Sequence, residues 1–211
     1  MKYTHDMVGE KGMENQYNGG LTREQFLFYE IRTVASLILQ GLSREDIIEV
    51  LTKENLFQFP TERMVTSIAG TCFRRIAALE SDNLVYELAN APADVAKQIN
   101  LYAMMKYNRI VWDFMTTVIG EKYRTQEFEF SKKDLNIFFF GLQEQNDAVA
   151  SWSDGTISKI KQVLTKTLVE CGYLDSSRST QLNPVTIAPE LEDEIRANND
   201  VAALAAFNCF R

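Results

Sequence analysis

Basic and hydroxyl-bearing side chains recur at helical spacing in two separate stretches of this 211-residue sequence. In residues 61–79, apolar side chains fill one side of a helical wheel. The other side carries a basic and polar set, with Arg75 on its flank: Arg63, Ser67, Gly70, Thr71 and Arg74. No Asp or Glu lies between Arg63 and Leu79. Because guanidinium and hydroxyl groups donate hydrogen bonds to phosphate oxygens, this face could contact a nucleic-acid backbone.

A second face of the same kind follows Asp154. Apolar residues mark the inner side of a helix over residues 154–171, and no carboxylate occurs from Gly155 to Val169. The outer side carries four polar residues: Ser158, Lys159, Gln162 and Lys166. Lys161 lies nearer the core margin, where a lysine stem can run along apolar surface. Arg178 follows in a polar turn, so the stretch is typical of a recognition helix with a wing.

Both faces have an ordinary alternative, since most helices expose lysines and serines to water without binding anything. The first face also follows a connection, residues 53–60, that is longer than the usual turn of a helix-turn-helix. The second face is therefore the stronger candidate.

Catalytic and metal-binding chemistry has little support in the sequence. His5 is the single histidine and lies in a polar leader, so no Ser-His-Asp triad or histidine metal site can form in a folded core. The three cysteines stand far apart, and no GxxxxGK[ST], GxGxxG or GxSxG motif occurs. Acidic clusters such as residues 190–194 are more typical of a solvated helix face. We expect no enzyme, cofactor, metal or small-molecule substrate.

The composition indicates a cytoplasmic protein with no membrane partner. Hydrophobic residues make up 45% of the chain, which is enough for a core without disulfides. No apolar run approaches the roughly 20 residues needed to cross a bilayer, and the first residues lack the pattern of a secretory signal. The net charge of −7 argues against indiscriminate coating of nucleic acid, so phosphate binding would require a local surplus of cations.

Capping and periodicity predict a mainly helical, all-α chain. After a mobile leader at 1–20, a capping box at Thr22 predicts a first helix that ends at Gly41. Further helices are expected over these ranges: 43–52, 61–79, 82–90, 92–119 with a break at Asn108, 131–142, 146–151, 154–171, 190–197 and 200–207. Two short strands around a turn at 176–180 complete the pattern over residues 172–187.

These elements predict two domains joined near residue 121. The N-terminal helical domain, 21–121, has a helix-turn-helix-like part. The C-terminal domain, 122–211, has the three helices and short β-hairpin of a winged helix, followed by an acidic helical tail.

From about Tyr17 onward the chain resembles the BrxA family, the small helical component of BREX bacteriophage exclusion systems. The resemblance rests on six sequence segments: FLFYE at 26–30, ENLFQFPTER at 54–63, KQINLYAMMKYNR at 97–109, EKYRT at 121–125, LQEQND at 142–147, and RST at 178–180 ahead of LNP at 182–184. The resemblance implies a non-enzymatic DNA-binding protein of an antiviral locus that also encodes a methyltransferase, an ATPase, and phosphatase-like and protease-like proteins. It implies no list of DNA-contacting residues.

Two main hypotheses follow. In the first, the chain binds double-stranded DNA with little sequence selectivity, using residues taken from the helical wheels: Arg63, Ser67, Arg74, Ser158, Lys159, Gln162, Lys166 and Arg178. In the second, it is a protein–protein adaptor that docks other BREX proteins, which its acidic net charge favours. RNA binding is a third alternative.

Overall fold

The structure is a computed structural model that describes residues 17–210, and it is mainly helical over that range. The α-helices are α1 Phe28–Leu39, α2 Arg44–Lys53, α3 Glu62–Ala78, α4 Asp82–Asn90, α5 Ala93–Tyr107, α6 Arg109–Asp113, α7 Gly120–Thr125, α8 Lys132–Gln145, α9 Asp147–Ala150, α10 Asp154–Glu170 and α11 Pro189–Ala197. Two 3₁₀ segments, Gly19–Thr22 and Val201–Phe207, and a π-helical segment, Phe114–Ile119, complete the set. The sequence prediction of a mainly helical chain is confirmed.

Side-chain caps place most helix starts where the sequence predicted them. The Ser43 hydroxyl accepts from the Asp46 amide, and Asp46 bonds back to the Ser43 amide in a capping box. Thr61 caps α3 and Ser153 caps α10 in the same manner, each accepting from the amide three residues on. At the other end of α1, Gly41 takes a φ of 82°, which favours glycine and ends the helix.

The first helix begins later than the sequence indicated. Thr22 does not open α1; its hydroxyl donates to the Gly19 carbonyl at 2.9 Å within a 3₁₀ turn. Leu27 has a left-handed backbone with φ of 51°, so a helix cannot run through it and α1 starts at Phe28. The apolar spacing that suggested one continuous helix joins two separate segments.

The described helices fall into two units, each with its own core. Unit 1 comprises residues 27–107 among those described and contains α1 to α5. In it, α1 packs against α3 and α4, and α5 packs against the same two helices. Fully buried aliphatic side chains fill its centre: Ile31, Val34, Leu84, Val85, Ile99 and Leu101.

Unit 2 comprises residues 17–26 and 108–210. Asn108 breaks the long predicted helix, because its side chain accepts from the Ile110 and Val111 amides and so caps α6. Residues 108–121, which the sequence assigned to the N-terminal domain, belong to this unit. Residues 1–16 of the expected leader, including His5, lie outside the described residues, while Tyr17 to Gly20 form part of unit 2.

A close contact fixes the end of the π-helical segment. A side-chain carbon on Gly120 would lie 2.8 Å from the Ala205 methyl, closer than real contacts allow. Glycine therefore lets the 3₁₀ segment Val201–Phe207 pack directly onto the helix backbone. That segment contributes Leu204 and Phe207 to the core.

The expected β-hairpin is not formed. Among residues 17–210 there is no sheet, and the isolated bridge that is present joins Glu129 to Gln181. The residues predicted as the second strand form hydrogen bonds with the segment that precedes α8. The Phe130 amide donates to the Thr180 carbonyl at 2.9 Å, and the Leu182 amide donates to the Phe128 carbonyl at 2.8 Å. Pro184 has no amide hydrogen to extend a ladder, which limits pairing beyond this point.

Among the helices of the described chain, none is both long and apolar enough to cross a bilayer.

Candidate nucleic-acid interface

The outer face of α10 is exposed as the helical wheel required. Ile160, Leu164 and Leu168 are buried on the inner side of the helix. The four predicted polar residues are all exposed: Ser158, Lys159, Gln162 and Lys166. The Lys166 ammonium makes one long contact, 3.4 Å to the amide oxygen of Gln25. This face therefore has the orientation that phosphate contact requires.

Lys161 lies on the margin between the core and solvent, as its wheel position predicted. Its ammonium donates to the Asn136 side chain at 2.9 Å and lies 5.3 Å from the Phe139 ring centroid, so it bridges α10 to α8. Burial lowers the pKa of Lys161, and the Asp154 carboxylate counteracts part of that effect. The side chain contributes positive charge while it contacts the neighbouring helix.

Arg178 is exposed on a loop, residues 175–180, that closes without strands. The Ser176 amide donates to the Ser179 hydroxyl at 3.0 Å, and the Ser179 amide donates back to the Ser176 carbonyl at 3.0 Å. Asn183 holds the base of the loop, because its side chain donates to Asp175 at 2.9 Å and its amide donates to Tyr173 at 2.8 Å. Side-chain hydrogen bonds therefore close this loop in place of a β-hairpin.

Helices α8 and α10 and the 175–180 loop surround a groove of about 1530 Å³, called here the α8–α10 groove. Five cationic side chains line it: Lys132, Lys133, Lys161, Lys166 and Arg178. Three carboxylates, Asp154, Glu170 and Asp175, also line it, so the groove has a surplus of positive charge. Of the residues predicted on this part of the chain, Ser158, Gln162, Lys166 and Arg178 meet in the groove, whereas Lys159 lies outside its lining.

The predicted face of α3, in unit 1, is partly different from the wheel. Arg63, Ser67 and Arg74 are exposed as expected. Thr71 and Arg75, which the wheel placed on or beside this face, are each 1% exposed and belong to the interior. The wheel treated α3 as an isolated cylinder, but α1, α2 and α5 all pack against it and cover more than its apolar stripe.

Arg74 is exposed but already bound. Its Nε donates to the Tyr107 hydroxyl at 2.8 Å, its guanidinium lies 5.5 Å from that ring's centroid, and one Nη donates to the Thr71 hydroxyl at 3.1 Å. A phosphate at this position would compete with these contacts, so on this face Arg63 is more available to bind phosphate than Arg74.

Carboxylates from elsewhere in the fold leave most of the predicted cations uncompensated. The ion pairs found among the described residues join other side chains, for example Lys106 with Glu80 and Arg124 with Glu121. In residues 17–210 no ion pair involves these four predicted cations: Arg63, Lys159, Lys166 and Arg178.

Sequence reasoning missed Lys132 and Lys133. Both are exposed in the first turn of α8 and line the α8–α10 groove opposite Lys166 and Arg178. A signal was present in the sequence, because two lysines directly after a Ser131 N-cap oppose the positive end of the helix dipole. Such a placement is costly for the helix and calls for a reason outside it.

A second cavity in unit 2, of about 580 Å³, is lined by more acids than bases: Arg109 and Lys122 against Asp113, Glu121, Glu127 and Asp134. The Tyr17 hydroxyl donates to Asp113 at 2.6 Å, and the Arg109 guanidinium lies 5.0 Å from the Tyr17 ring centroid. Burial and the Asp113 carboxylate raise the pKa of Tyr17. On another wall, Lys122 pairs with Asp134 at 2.9 Å. These contacts anchor residue 17 and α8, and the surplus of carboxylates makes this cavity unsuited to binding phosphate.

No cluster of three or more His, Cys, Asp or Glu side chains suited to a metal ion occurs in the part of the chain that the structure describes.

Comparisons with known proteins agree on one family. A family model described as BrxA matches residues 15–199. The "BREX protein BrxA" of Bacillus cereus (strain H3081.97) is 32% identical over 188 residues, which is 89% of this chain and 94% of the relative. The protein of the same name from Escherichia coli O9:H4 (strain HS) is 25% identical and covers 82% of this chain and 81% of its own length.

A solved structure shares the fold. The crystal structure of an uncharacterized protein from Magnetospirillum magneticum superposes with a TM-score of 0.76 at 21% identity. The match covers 90% of this chain and 97% of the other.

Proposed function

The chain belongs to the BrxA family, and on that premise we propose that it is a non-catalytic component of a BREX phage-defence system that binds double-stranded DNA mainly through phosphate contacts. The observation that carries the proposal is the α8–α10 groove, which gathers five cationic side chains against three carboxylates on a chain whose net charge is −7.

Local charge decides whether an anionic protein can hold DNA. Coulombic attraction between exposed charges is screened within about 8–10 Å at physiological salt, so carboxylates far from the groove matter less than those lining it. Of those three, Asp175 accepts a hydrogen bond from Asn183, and Asp154 lies beside Lys161. A concave surface with a net positive charge also focuses the field toward an incoming phosphate.

In this proposal, unit 2 acts as a winged-helix-like module without a formed hairpin. Helix α10 supplies the recognition-helix side chains Ser158, Gln162 and Lys166, and the 175–180 loop supplies Arg178 in the role of a wing. Lys159 extends the positive surface beyond the groove, and Arg63 and Ser67 on α3 provide an additional contact. Lysine, arginine and hydroxyl groups bind phosphates irrespective of sequence, so selectivity among duplexes should be weak.

The direct test is a fluorescence-anisotropy titration of the intact protein with two duplexes of unrelated sequence at two salt concentrations. We expect similar affinities for both duplexes and a steep loss of affinity at the higher salt, because each phosphate contact releases condensed counterions. Competition with an RNA duplex of the same sequence should displace the DNA poorly. Negligible DNA binding at both salt concentrations would contradict the proposal.

A protein–protein adaptor within the BREX complex is the second candidate function. Ile137 and Phe140 are 60% and 62% exposed on α8, and exposed apolar side chains one helical turn apart suit a protein partner. Co-purification of the tagged chain with the other proteins of its locus, before and after nuclease digestion, separates the two functions. An adaptor keeps its partner when DNA is destroyed, whereas a DNA-mediated association is lost.

A further inference from the structure

We propose that Lys132 and Lys133 form a second phosphate-binding wall, so that one sugar–phosphate strand of the duplex runs along the α8–α10 groove between these lysines and the Lys166–Arg178 side. The inference rests on the proposed DNA binding. It adds two lysines of α8 to the site formed by α10 and the 175–180 loop, and it names the sugar–phosphate backbone as the part of DNA that the groove binds.

The two walls are joined by direct contacts between their elements. Lys161 of α10 hydrogen-bonds Asn136 of α8 at 2.9 Å and stacks on Phe139 of the same helix. The Phe130 amide also donates to Thr180 at 2.9 Å, which ties the start of α8 to the 175–180 loop. The cations on both sides therefore belong to one preorganised surface, which reduces the cost of ordering them around a ligand.

The charges of Lys132 and Lys133 have no counterion in the described chain. Neither residue takes part in an ion pair among residues 17–210. The nearest acid in sequence, Asp134, pairs with Lys122 at 2.9 Å and accepts from the Ser131 amide at 2.7 Å. Two lysine charges and the exposed start of a helix thus lie together on one wall, and a phosphate there would be attracted by both.

The groove's chemistry fits a backbone strand better than base edges. Its lining carries ammonium, guanidinium and hydroxyl groups on both sides, with Ser176, Ser177 and Thr180 beside Arg178. These groups donate to phosphate and sugar oxygens, and a strand presents such oxygens on both of its sides. The bases would then point away from the groove, which gives a physical reason for sequence-independent binding.

The test compares two double variants of the intact protein that remove the same charge. K132Q/K133Q removes two groove cations, and R124Q/R196Q removes two cations of the same unit, one exposed and one half-buried, that lie outside the groove lining and pair with Glu121 and Glu192. Anisotropy titrations over several salt concentrations give the slope of log affinity against log salt. We expect K132Q/K133Q to reduce the slope by about 2 and to weaken binding roughly 100-fold, at about tenfold per charged hydrogen bond. R124Q/R196Q should change the slope and the affinity only by the small amount that follows from the changed net charge of the protein.

A charge reversal distinguishes a lost contact from a damaged fold. In K132E/K133E the new carboxylates lie in the first turn of α8, where the helix dipole favours them. Its melting temperature should equal or exceed that of the wild type, while DNA affinity falls further than in K132Q/K133Q. If wild-type protein binds DNA and K132Q/K133Q matches R124Q/R196Q in slope and affinity, the second wall is wrong and the proposed function stands. If the wild type binds no DNA, the proposed function itself fails.

Discussion

The exposed faces of α3 and α10 carry similar residue types but are built in different ways. On α3, Arg74 is held by Tyr107 and Thr71, and Arg75 is buried in unit 1. On α10, Lys166 lies in a groove that also receives cations from α8 and from the 175–180 loop. A helical wheel shows which side chains of one helix point away from its apolar side. The neighbouring elements decide whether those side chains are bound within the fold or lie beside further cations.

This difference predicts which of the two faces binds DNA more strongly. Positive charge on a convex helix is diluted by solvent, while charge gathered around a concave surface acts together on one ligand. We therefore expect unit 2 to supply most of the DNA affinity and the α3 face to add a smaller share.

The largest expected effect comes from reversing charge in each face in turn. K166E/R178E should weaken duplex binding by about 100-fold or more, and R63E/R74E by about tenfold, since each lost charged contact costs at least about 1.5 kcal/mol and Arg74 is already engaged. Anisotropy at one low salt concentration measures both.

Two companion variants sharpen this ranking. K159E lies outside the groove lining and should have a smaller effect than K166E, and R196E should have almost none. A greater loss in R63E/R74E than in K166E/R178E would reverse the ranking of the two faces.

Two capping boxes of the same type compare the stability of the units. Asp46 caps α2 in unit 1, while Asp134 caps α8 and also pairs with Lys122, which is 7% exposed. We expect Asp134→Asn to lower the free energy of unfolding by about 1–3 kcal/mol, because Lys122 keeps only Glu127 at 3.6 Å. Asp46→Asn should cost about 0.5–1 kcal/mol, the loss of a cap alone. Urea denaturation at neutral pH gives both values.

The pH dependence of the Asp134 contribution has a defined sign. Burial raises the pKa of this carboxyl, but Lys122 and Ser131 outweigh that effect and hold the pKa below its ordinary value of 3.8. Its contribution to stability is complete above pH 3.8 and is lost as the pH falls through the lowered folded pKa. The gap between wild type and Asp134→Asn should therefore narrow under strongly acidic conditions; a gap that stays constant would contradict the pairing.

A smaller effect concerns Lys161 at high pH. Because burial lowers the pKa of Lys161 below 10.5, the unfolded chain keeps this proton to higher pH than the folded chain. Over that window the fold gains stability as the pH rises, while the groove loses one cation. We expect up to about tenfold weaker DNA binding at the top of the window, as for one lost charged contact. Lys161→Arg should hold its affinity in the same anisotropy series, and equal decline in both proteins would exclude Lys161 as the cause.

The smallest effect separates the stability of α8 from binding. Nothing lies within 4 Å of a side-chain carbon built on Gly141, so Gly141→Ala should stabilise the helix by about 0.5–1 kcal/mol. Thermal denaturation measures the gain, and DNA affinity should not change, because Gly141 does not line the α8–α10 groove. A change in affinity would mean that binding depends on the flexibility of α8.

The sequence predicted what local rules determine. The Ser43 capping box, the start of α3 at Thr61 and the helix break at Asn108 all lie where the sequence indicates them. These features depend on hydrogen bonds within four residues of chain. The start of α1 was misplaced because the left-handed backbone of Leu27 leaves no mark in the apolar spacing.

Features that depend on distant segments could not be predicted in the same way. The strand-like residues near Leu182 pair with Phe128, more than 50 residues earlier, and Asn183 bonds back across their own loop, to Tyr173 and Gly172. Likewise, Lys132 and Lys133 become candidate site residues because α8 and α10 flank one groove, with Lys161 of α10 over the Phe139 ring of α8. The exposure of all eight predicted residues was anticipated, but the grouping of four of them in one groove required the fold.

The hydroxyl of Tyr173 has a practical consequence for handling the protein. It is fully buried and donates to the Ala206 carbonyl at 2.9 Å, while the Tyr173 carbonyl receives the Asn183 amide at the foot of the 175–180 loop. The 3₁₀ segment Val201–Phe207 thus supports the base of the loop through Tyr173. Truncating the chain before that segment, or fusing a tag that displaces it, would remove this support from the loop that carries Arg178, although the change lies more than twenty positions along the chain from Arg178.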